Sequence, residues 1–224
     1  KRLTCITKKE GYATIKRCWD IDYINAENEW QLIDYISENC FLEKIESQKS
    51  GTLVLWEKLD RIVGKAESNN ESVKNAFYQE MENVREHLSL VFHKFIEGNA
   101  KTGKIKITLN NHEIQAFNPF CLSNKFTQMI GSEKVSINDS EVQMQAYALP
   151  HFTNMTPQEY ETLKKRSDLL NCQGAYVYRN DRLMVWGDWF RIIPKSENTK
   201  YARVEINFDK AIDHLWTIDI KKSK

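Results

Sequence analysis

Glycine is scarce in this chain: eight residues in 224, scattered along the sequence. No complete Walker-type phosphate loop, G-x-x-x-x-G-K-[ST], occurs, and no G-x-S-x-G nucleophile elbow occurs either. Cysteine is scarce and badly placed for chemistry. Cys5, Cys18, Cys40, Cys121 and Cys172 are odd in number and widely spaced, with no C-x-x-C. Both a disulfide framework and a zinc site are therefore disfavoured, and reduced thiols of a cytoplasmic protein are expected. No metal site is assigned. No apolar run approaches the roughly 18 residues of a membrane span, so no membrane partner is expected, and no signal-peptide pattern occurs. Neither sign of charge prevails: 32 Lys and Arg stand against 31 Asp and Glu, a net charge of +1. A generally basic nucleic-acid binder is disfavoured, although a local patch stays open.

What the chain does have is enough apolar material for packed cores: 41% of residues, beside 28% charged. Its length is long for one domain and comfortable for two small ones. The opening KRLTCITKK and the closing IDIKKSK both fall inside strand-like patterns, so a piece of a longer protein is expected. Alternation over residues 1–24 predicts two strands with a turn at Lys9-Glu10-Gly11. Trp30, Ile33, Ile36 and Cys40 predict a helix over 27–42. Residues 51–57, GTLVLWE, read as a buried strand. Residues 64–72, GKAESNNES, are a polar linker candidate. From Val73 to Ile96 apolar residues recur at steps of three and four, for about seven turns. That predicts one long amphipathic helix stopped by Gly98 and lying against a sheet.

Further on, residues 104–117 predict a hairpin turning at Asn110-Asn111. It would pair Leu109 with His112, Ile107 with Ile114 and Ile105 with Ala116, all on one face. Residues 142–149 read as a strand. Thr156-Pro157-Gln158-Glu159 predicts a capped helix start, with the helix running to about Leu170. Residues 174–187 predict a second hairpin turning at Asn180-Asp181, and 201–208 and 215–220 two final strands. The fold class expected is α+β, with mostly antiparallel sheet and a long amphipathic helix.

No complete catalytic constellation is visible. His87 and His93 are six residues apart, off the i, i+4 spacing of a helical zinc pair. Two clusters carry concentrated charge. A two-residue turn places Arg179 opposite Arg182, and like charges across a ladder repel. A bound anion such as a phosphate backbone would relieve them, and so would a solvated turn whose arginines splay. Lys221 and Lys222, just after the last predicted strand, form either a solvated tail or a phosphate contact.

The order of these pieces resembles the back half of a GHKL ATPase, the class holding gyrase B subunits, MutL proteins, microrchidia proteins and the large heat-shock chaperones. Gly51-Thr52-Leu53-Val54-Leu55-Trp56 is similar to the G-T-x-V-x-[FW] strand that closes the nucleotide-binding sandwich of that class. Residues 174–183, GAYVYRNDRL, resemble the G-x-x-V-Y-x-N-x-R-L hairpin of the following transducer domain, which has a ribosomal S-five-like fold. The helix containing HLSLVFHKFIEG, the segment KIKITLNNHEIQAFNPF and the strands ARVEI and IDIKKS fit the same domain. The likeness is greatest to microrchidia-type bacterial relatives.

The resemblance implies a remnant of the ATP-binding domain over 1–63 and a transducer over 64–224. It places Gly51 and Thr52 beside the adenine pocket, Thr52 through its hydroxyl. It assigns Lys222, with Lys221 second, as the lysine that reaches the γ-phosphate. ATP and magnesium would bind in the parent protein and not in this fragment, because the Glu-Asn helix, the D-x-G-x-G loop and the glycine-rich lid of the class are not in this sequence. The missing ATPase half is the implied partner, and a homodimer of the parent is a further implication. Two readings from other classes stay open: a nucleic-acid module, with DNA as partner, using Arg179 and Arg182, and a non-enzymatic interaction scaffold.

Overall fold

The computed structural model describes residues 1–34, 42–59, 71–137 and 140–215. It is a mixed α+β chain whose sheets are mostly antiparallel. Two compact units divide it, Lys1–Glu80 and Met81–Lys224. The expected boundary at 63/64 and most of the linker candidate lie outside the described residues.

The first unit is built on three antiparallel strands, β1 (Arg2–Lys8), β2 (Ile15–Asp20) and β3 (Gly51–Glu57), in the order β2-β1-β3. The expected turn closes where the Tyr12 N–H donates to the Lys9 carbonyl at 3.0 Å. Strand pleating sends alternate residues to opposite faces. Thr4 and Ile6 share one face with Cys18, Leu53 and Leu55, by register. That face is covered by Ile45 and Leu42 of helix α2 (Leu42–Glu46), and Ile6 is fully buried. The opposite face carries Leu3, Cys5 and Thr7 with their partners Trp19, Trp56, Val54, Ile15 and Thr52.

The helix expected over 27–42 is displaced. Helix α1 occupies Ile21–Glu27, because the Asp20 side chain caps it by accepting from the Asp22 N–H at 3.0 Å. Asn28, at φ 54°, ends it. The spacing of Trp30 and Ile33 has another cause. Trp30 packs at a tilt against Trp19 with ring centroids 5.0 Å apart, and Ile33 bridges to Cys18 of β2. Residues 35–41 of the expected helix lie outside the described residues.

The long helix is present but interrupted. Helix α3 (Glu71–Val91) ends at Phe92, whose backbone leaves the helical region, and α4 (His93–Glu97) follows. Gly98 terminates it at φ 87°, its N–H donating to Lys94 and Phe95 carbonyls, as a left-handed C-cap does. The division between the two units falls inside α3. Only the C-terminal end of the apolar stripe is buried, at Leu90, Val91 and Ile96; Phe77 and Val84 are each 42% exposed. The expectation that the whole stripe lies against a sheet is therefore corrected.

The second unit centres on a five-stranded sheet in the order β6-β7-β10-β8-β9. Its strands are β6 (Gln128–Ile137), β7 (Ser140–Ala148), β8 (Gly174–Arg179), β9 (Arg182–Asp188) and β10 (Ala202–Phe208). Only the β10–β8 pair is parallel. One face packs Tyr147, Tyr176 and Tyr178 under Leu90, Phe117, Phe120 and Leu163. The other packs Val142, Ala175, Val177 and Phe208 against Ile212, from the short 3-10 turn Lys210–Leu215. Helix α5 (Pro157–Arg166) starts with the expected capping box: Thr156 Oγ1 accepts from the Glu159 N–H at 3.2 Å, and Glu159 accepts from the Thr156 N–H at 2.8 Å. It stops earlier than expected, at Ser167.

The 104–117 hairpin is mostly loop. Its ladder is only β4 (Thr108–Leu109) and β5 (His112–Glu113), turning at Asn110 and Asn111 with φ of 51° and 66°. Leu109 does pair with His112. Ile105 instead donates its N–H to the Phe95 carbonyl at 3.0 Å and is 40% exposed, whereas Ile114 is buried. The six residues do not share a face, and the hairpin forms a separate two-stranded sheet. Strand β6 had no counterpart in the expectations. Nearly every residue of it is exposed, so neither alternation nor an apolar run marks it. The strand expected at 215–220 lies outside the described residues apart from Leu215.

Candidate functional site

Gly51 and Thr52 begin β3 on the edge of the first unit's sheet. Thr52 Oγ1 lies 3.0 Å from Thr7 Oγ1, and Thr7 Oγ1 donates to the Gly51 carbonyl at 3.3 Å. Both threonines are exposed. With the Thr7 proton on the Gly51 carbonyl, Thr52 donates its own proton to Thr7 Oγ1, and the Thr52 oxygen keeps lone pairs free to accept from a ligand. The face around it is unusual for a surface: Leu3 is 38% exposed, Ile15 54%, Val54 53% and Trp56 64%. Contiguous exposed apolar groups of this kind mark an interaction surface. A Cβ on Gly51 would sit 3.2 Å from Gln48 Oε1 and from Ile45 Cδ1, both flexible side-chain ends on the segment that precedes β3.

At the far end of the same sheet a charge network holds the strands. Asp20 is almost wholly buried, with Arg2 Nε 2.7 Å and Lys58 Nζ 3.2 Å from Oδ2. Burial pushes the Asp20 carboxyl up, but the hydrogen bonds from Arg2, Lys58 and the Asp22 N–H outweigh it and hold it down at about 2.

The second unit brings Arg179 and Arg182 directly opposite each other, as the turn geometry predicts; Asn180 and Asp181 have φ of 46° and 67°. Each arginine is already engaged. Arg179 grips Asp213 with both Nε and Nη2, the Nε contact being 2.6 Å. Arg182 lies over the Phe92 ring, 5.6 Å from its centroid. Asp181 accepts from the Lys101 N–H at 2.8 Å. Arg179 thus has a counter-ion inside the molecule, whereas Arg182 is exposed and keeps its charge beside an aromatic ring. Lys221 and Lys222 lie outside the described residues.

A polar cluster that sequence reasoning missed sits between α4 and the sheet. Lys94 Nζ donates to Glu205 Oε1 at 2.5 Å and to Asn207 Oδ1 at 2.6 Å, and lies 3.9 Å from the centre of the Tyr178 ring. Tyr178 Oη is 2.8 Å from His93 Nε2, and Tyr147 donates to Glu205 Oε2 at 3.3 Å. His93 Nδ1 is 3.6 Å from Glu97 Oε2, beyond hydrogen-bond reach. Burial, with Glu205 nearby, raises both the Tyr147 and Tyr178 hydroxyls above the usual phenol range. The only sequence signal for this cluster is the alternation of Glu205 and Asn207 with apolar residues along β10. Such an ammonium–carboxylate–aromatic cluster fixes α4 on the sheet. An open cleft of about 340 Å³ runs past it, bounded in part by Lys94, Lys101, Asn180 and Asn207.

Among the described residues no group of three or more His, Cys, Asp or Glu is placed to hold a metal, and the four described cysteines are free. No helix among them is long and apolar enough to cross a membrane. No protein-family model matches the chain, and no curated protein matches it.

Proposed function

We propose that this chain is part of a GHKL-type ATP-binding protein, contributing the strand that closes the nucleotide site and the transducer that responds to it. The observation that carries the reading is the open face of the first unit's sheet. There the exposed Thr52 hydroxyl stands at one end of a surface formed by Leu3, Ile15, Val54 and Trp56. One layer of a two-layer sandwich would look like this, with a polar group poised at its edge for a ligand.

In this reading ATP and magnesium bind between Thr52 and a second part of the protein, which supplies the phosphate-gripping loops and the glutamate that activates water. Thr52 orients the base. Lys222, with Lys221 as second candidate, approaches the γ-phosphate. An ion pair that exists only while the γ-phosphate is present biases the transducer between two positions. The ion pair of Arg179 with Asp213 favours this reading over a hairpin that binds DNA through both arginines.

Nucleotide binding to the protein that includes the phosphate-gripping half is the direct test. Thr52→Ala is expected to weaken ATP binding about tenfold, the worth of one hydrogen bond to a ligand. Lys222→Ala is expected to lower hydrolysis while leaving binding of ADP unchanged. The 224-residue chain alone is expected not to hydrolyse ATP. Unchanged affinity in Thr52→Ala, or turnover by the chain alone, overturns the proposal.

A further inference from the structure

The loop that follows β9 is held in a shape it would not choose by itself. Phe190 and Arg191 both have positive φ, 52° and 62°, and neither is glycine or asparagine. Two bulky residues in succession in the left-handed region persist only when their surroundings impose it. The anchors are visible. The Phe190 N–H donates to Asp188 Oδ1 at 2.7 Å, and the Ile192 N–H to the Trp189 carbonyl at 2.9 Å. The Trp189 indole donates at 3.2 Å to Gln173, whose side chain is completely buried, and Lys195 donates to the Asn171 carbonyl. What this frame presents is apolar: Phe190 is 44% exposed, Ile192 81% and Ile193 42%. Arg191, at the tip, has no partner among the described residues.

A hole lies next to this knob. Cys172, Met184, Val185, Trp186 and Gly187 line a groove of about 450 Å³, and Asp188 and Lys195, the two ends of the loop, complete its rim. The groove has a narrow floor because Gly187, at φ 64°, lets two backbones approach. A Cβ there would come within 2.7 Å of Cys172 Cα. Neither the knob nor the hole takes part in the nucleotide-site reading above.

We propose that this face docks a second copy of the chain, each copy placing Phe190 and Ile192 in the groove of the other. Knob and hole adjoin, so a two-fold axis between them engages both at once, which is the requirement of an isologous contact. Charge supports the same arrangement: Arg191 of one copy can reach Asp188 on the rim of the other, while the rim's Lys195 is turned to the Asn171 carbonyl. The loop is anchored at both ends by these hydrogen bonds, which limits the conformational freedom lost on docking. A six-residue knob and one groove fall below the roughly 800 Å² per partner of a standard interface. The dimer is therefore weak and concentration-dependent.

Sedimentation velocity of the 224-residue chain over a wide concentration range tests this. The wild type is expected to shift from monomer to dimer. Ile192→Asp is expected to stay monomeric, and Arg191→Glu to weaken the dimer about tenfold. Ile130→Asp, at a residue 66% exposed on the opposite edge of the sheet, is expected to leave it unchanged. Under mild oxidation Ile192→Cys is expected to give a disulfide-linked dimer with Cys172 of the other copy, lost when Cys172→Ser is added. A wild type that is monomeric at every concentration overturns the proposal, as would be expected if another protein or a membrane occupies the face. Dimerisation that survives Ile192→Asp, or a cross-link that persists without Cys172, overturns it equally.

Discussion

The two sheets of this protein are finished to different degrees. The five-stranded sheet of the second unit has apolar clusters on both faces, with Tyr176, Tyr178, Val177 and Leu183 almost completely inaccessible. The three-stranded sheet of the first unit has one covered face, centred on Ile6 and Ile45, and one on which Val54 and Trp56 are more than half exposed. Burial of apolar surface stabilises at roughly 25 cal/mol per Å². A sheet with both faces packed therefore holds itself together, whereas a sheet with one open face relies on its ladder, its edge charges and whatever covers it. The second unit stores stability. The first offers surface.

That contrast can be broken from the stable side first. Tyr178→Ala removes a fully buried ring that His93 and Lys94 both touch. Denaturant unfolding is expected to show a loss of about 3–5 kcal/mol, confined to the second unit. Gly187→Ala forces a Cβ to within 2.7 Å of the Cys172 backbone at a positive φ, for an expected loss of about 2–3 kcal/mol in the same measurement. In the first unit Asp20→Asn is expected to cost about 1–3 kcal/mol, since Arg2 and Lys58 lose a shared buried carboxylate.

The Asp20 effect carries a pH signature. Its carboxyl is held at about 2 in the fold, below the roughly 3.9 of an unfolded chain. Its contribution is therefore complete above about pH 4 and is lost as pH falls through about 2. The stability gap between wild type and Asp20→Asn is expected to close over that window; a gap independent of pH would remove Asp20 as its source. Smallest of all is Trp56→Ala. At 64% exposure it is expected to change stability by less than about 0.5 kcal/mol, a large residue behaving like a surface one. A loss comparable to Tyr178→Ala would mean that the open face is covered within this chain.

Much of the framework was legible from local rules. The Thr156 capping box, the Gly98 stop and the Asn180-Asp181 turn with Arg179 facing Arg182 all follow from residue types at fixed spacings, and all are present. The misreadings have a common origin. Asp20 captured a helix start that periodicity placed six or seven residues later. Ile105 left its expected strand because its N–H met the Phe95 carbonyl. Strand β6 escaped notice because it is exposed along most of its length and so lacks the pattern by which strands are recognised. The nucleotide site proposed above rests on a resemblance: Thr52 is exposed, and Lys221 and Lys222 are outside the described residues.

By itself the sequence determined the class of fold, the caps and turns, and which stretches carry apolar stripes, because each of these is decided within a few residues by backbone sterics and local hydrogen bonds. Only the tertiary structure decided which stripes find a partner. It showed Lys94 closing on Glu205 across 111 positions and Arg179 on Asp213 across 34. It left Val54, Trp56 and the Phe190–Ile193 loop open. Those outcomes depend on distances between segments far apart in the chain, which no local pattern encodes.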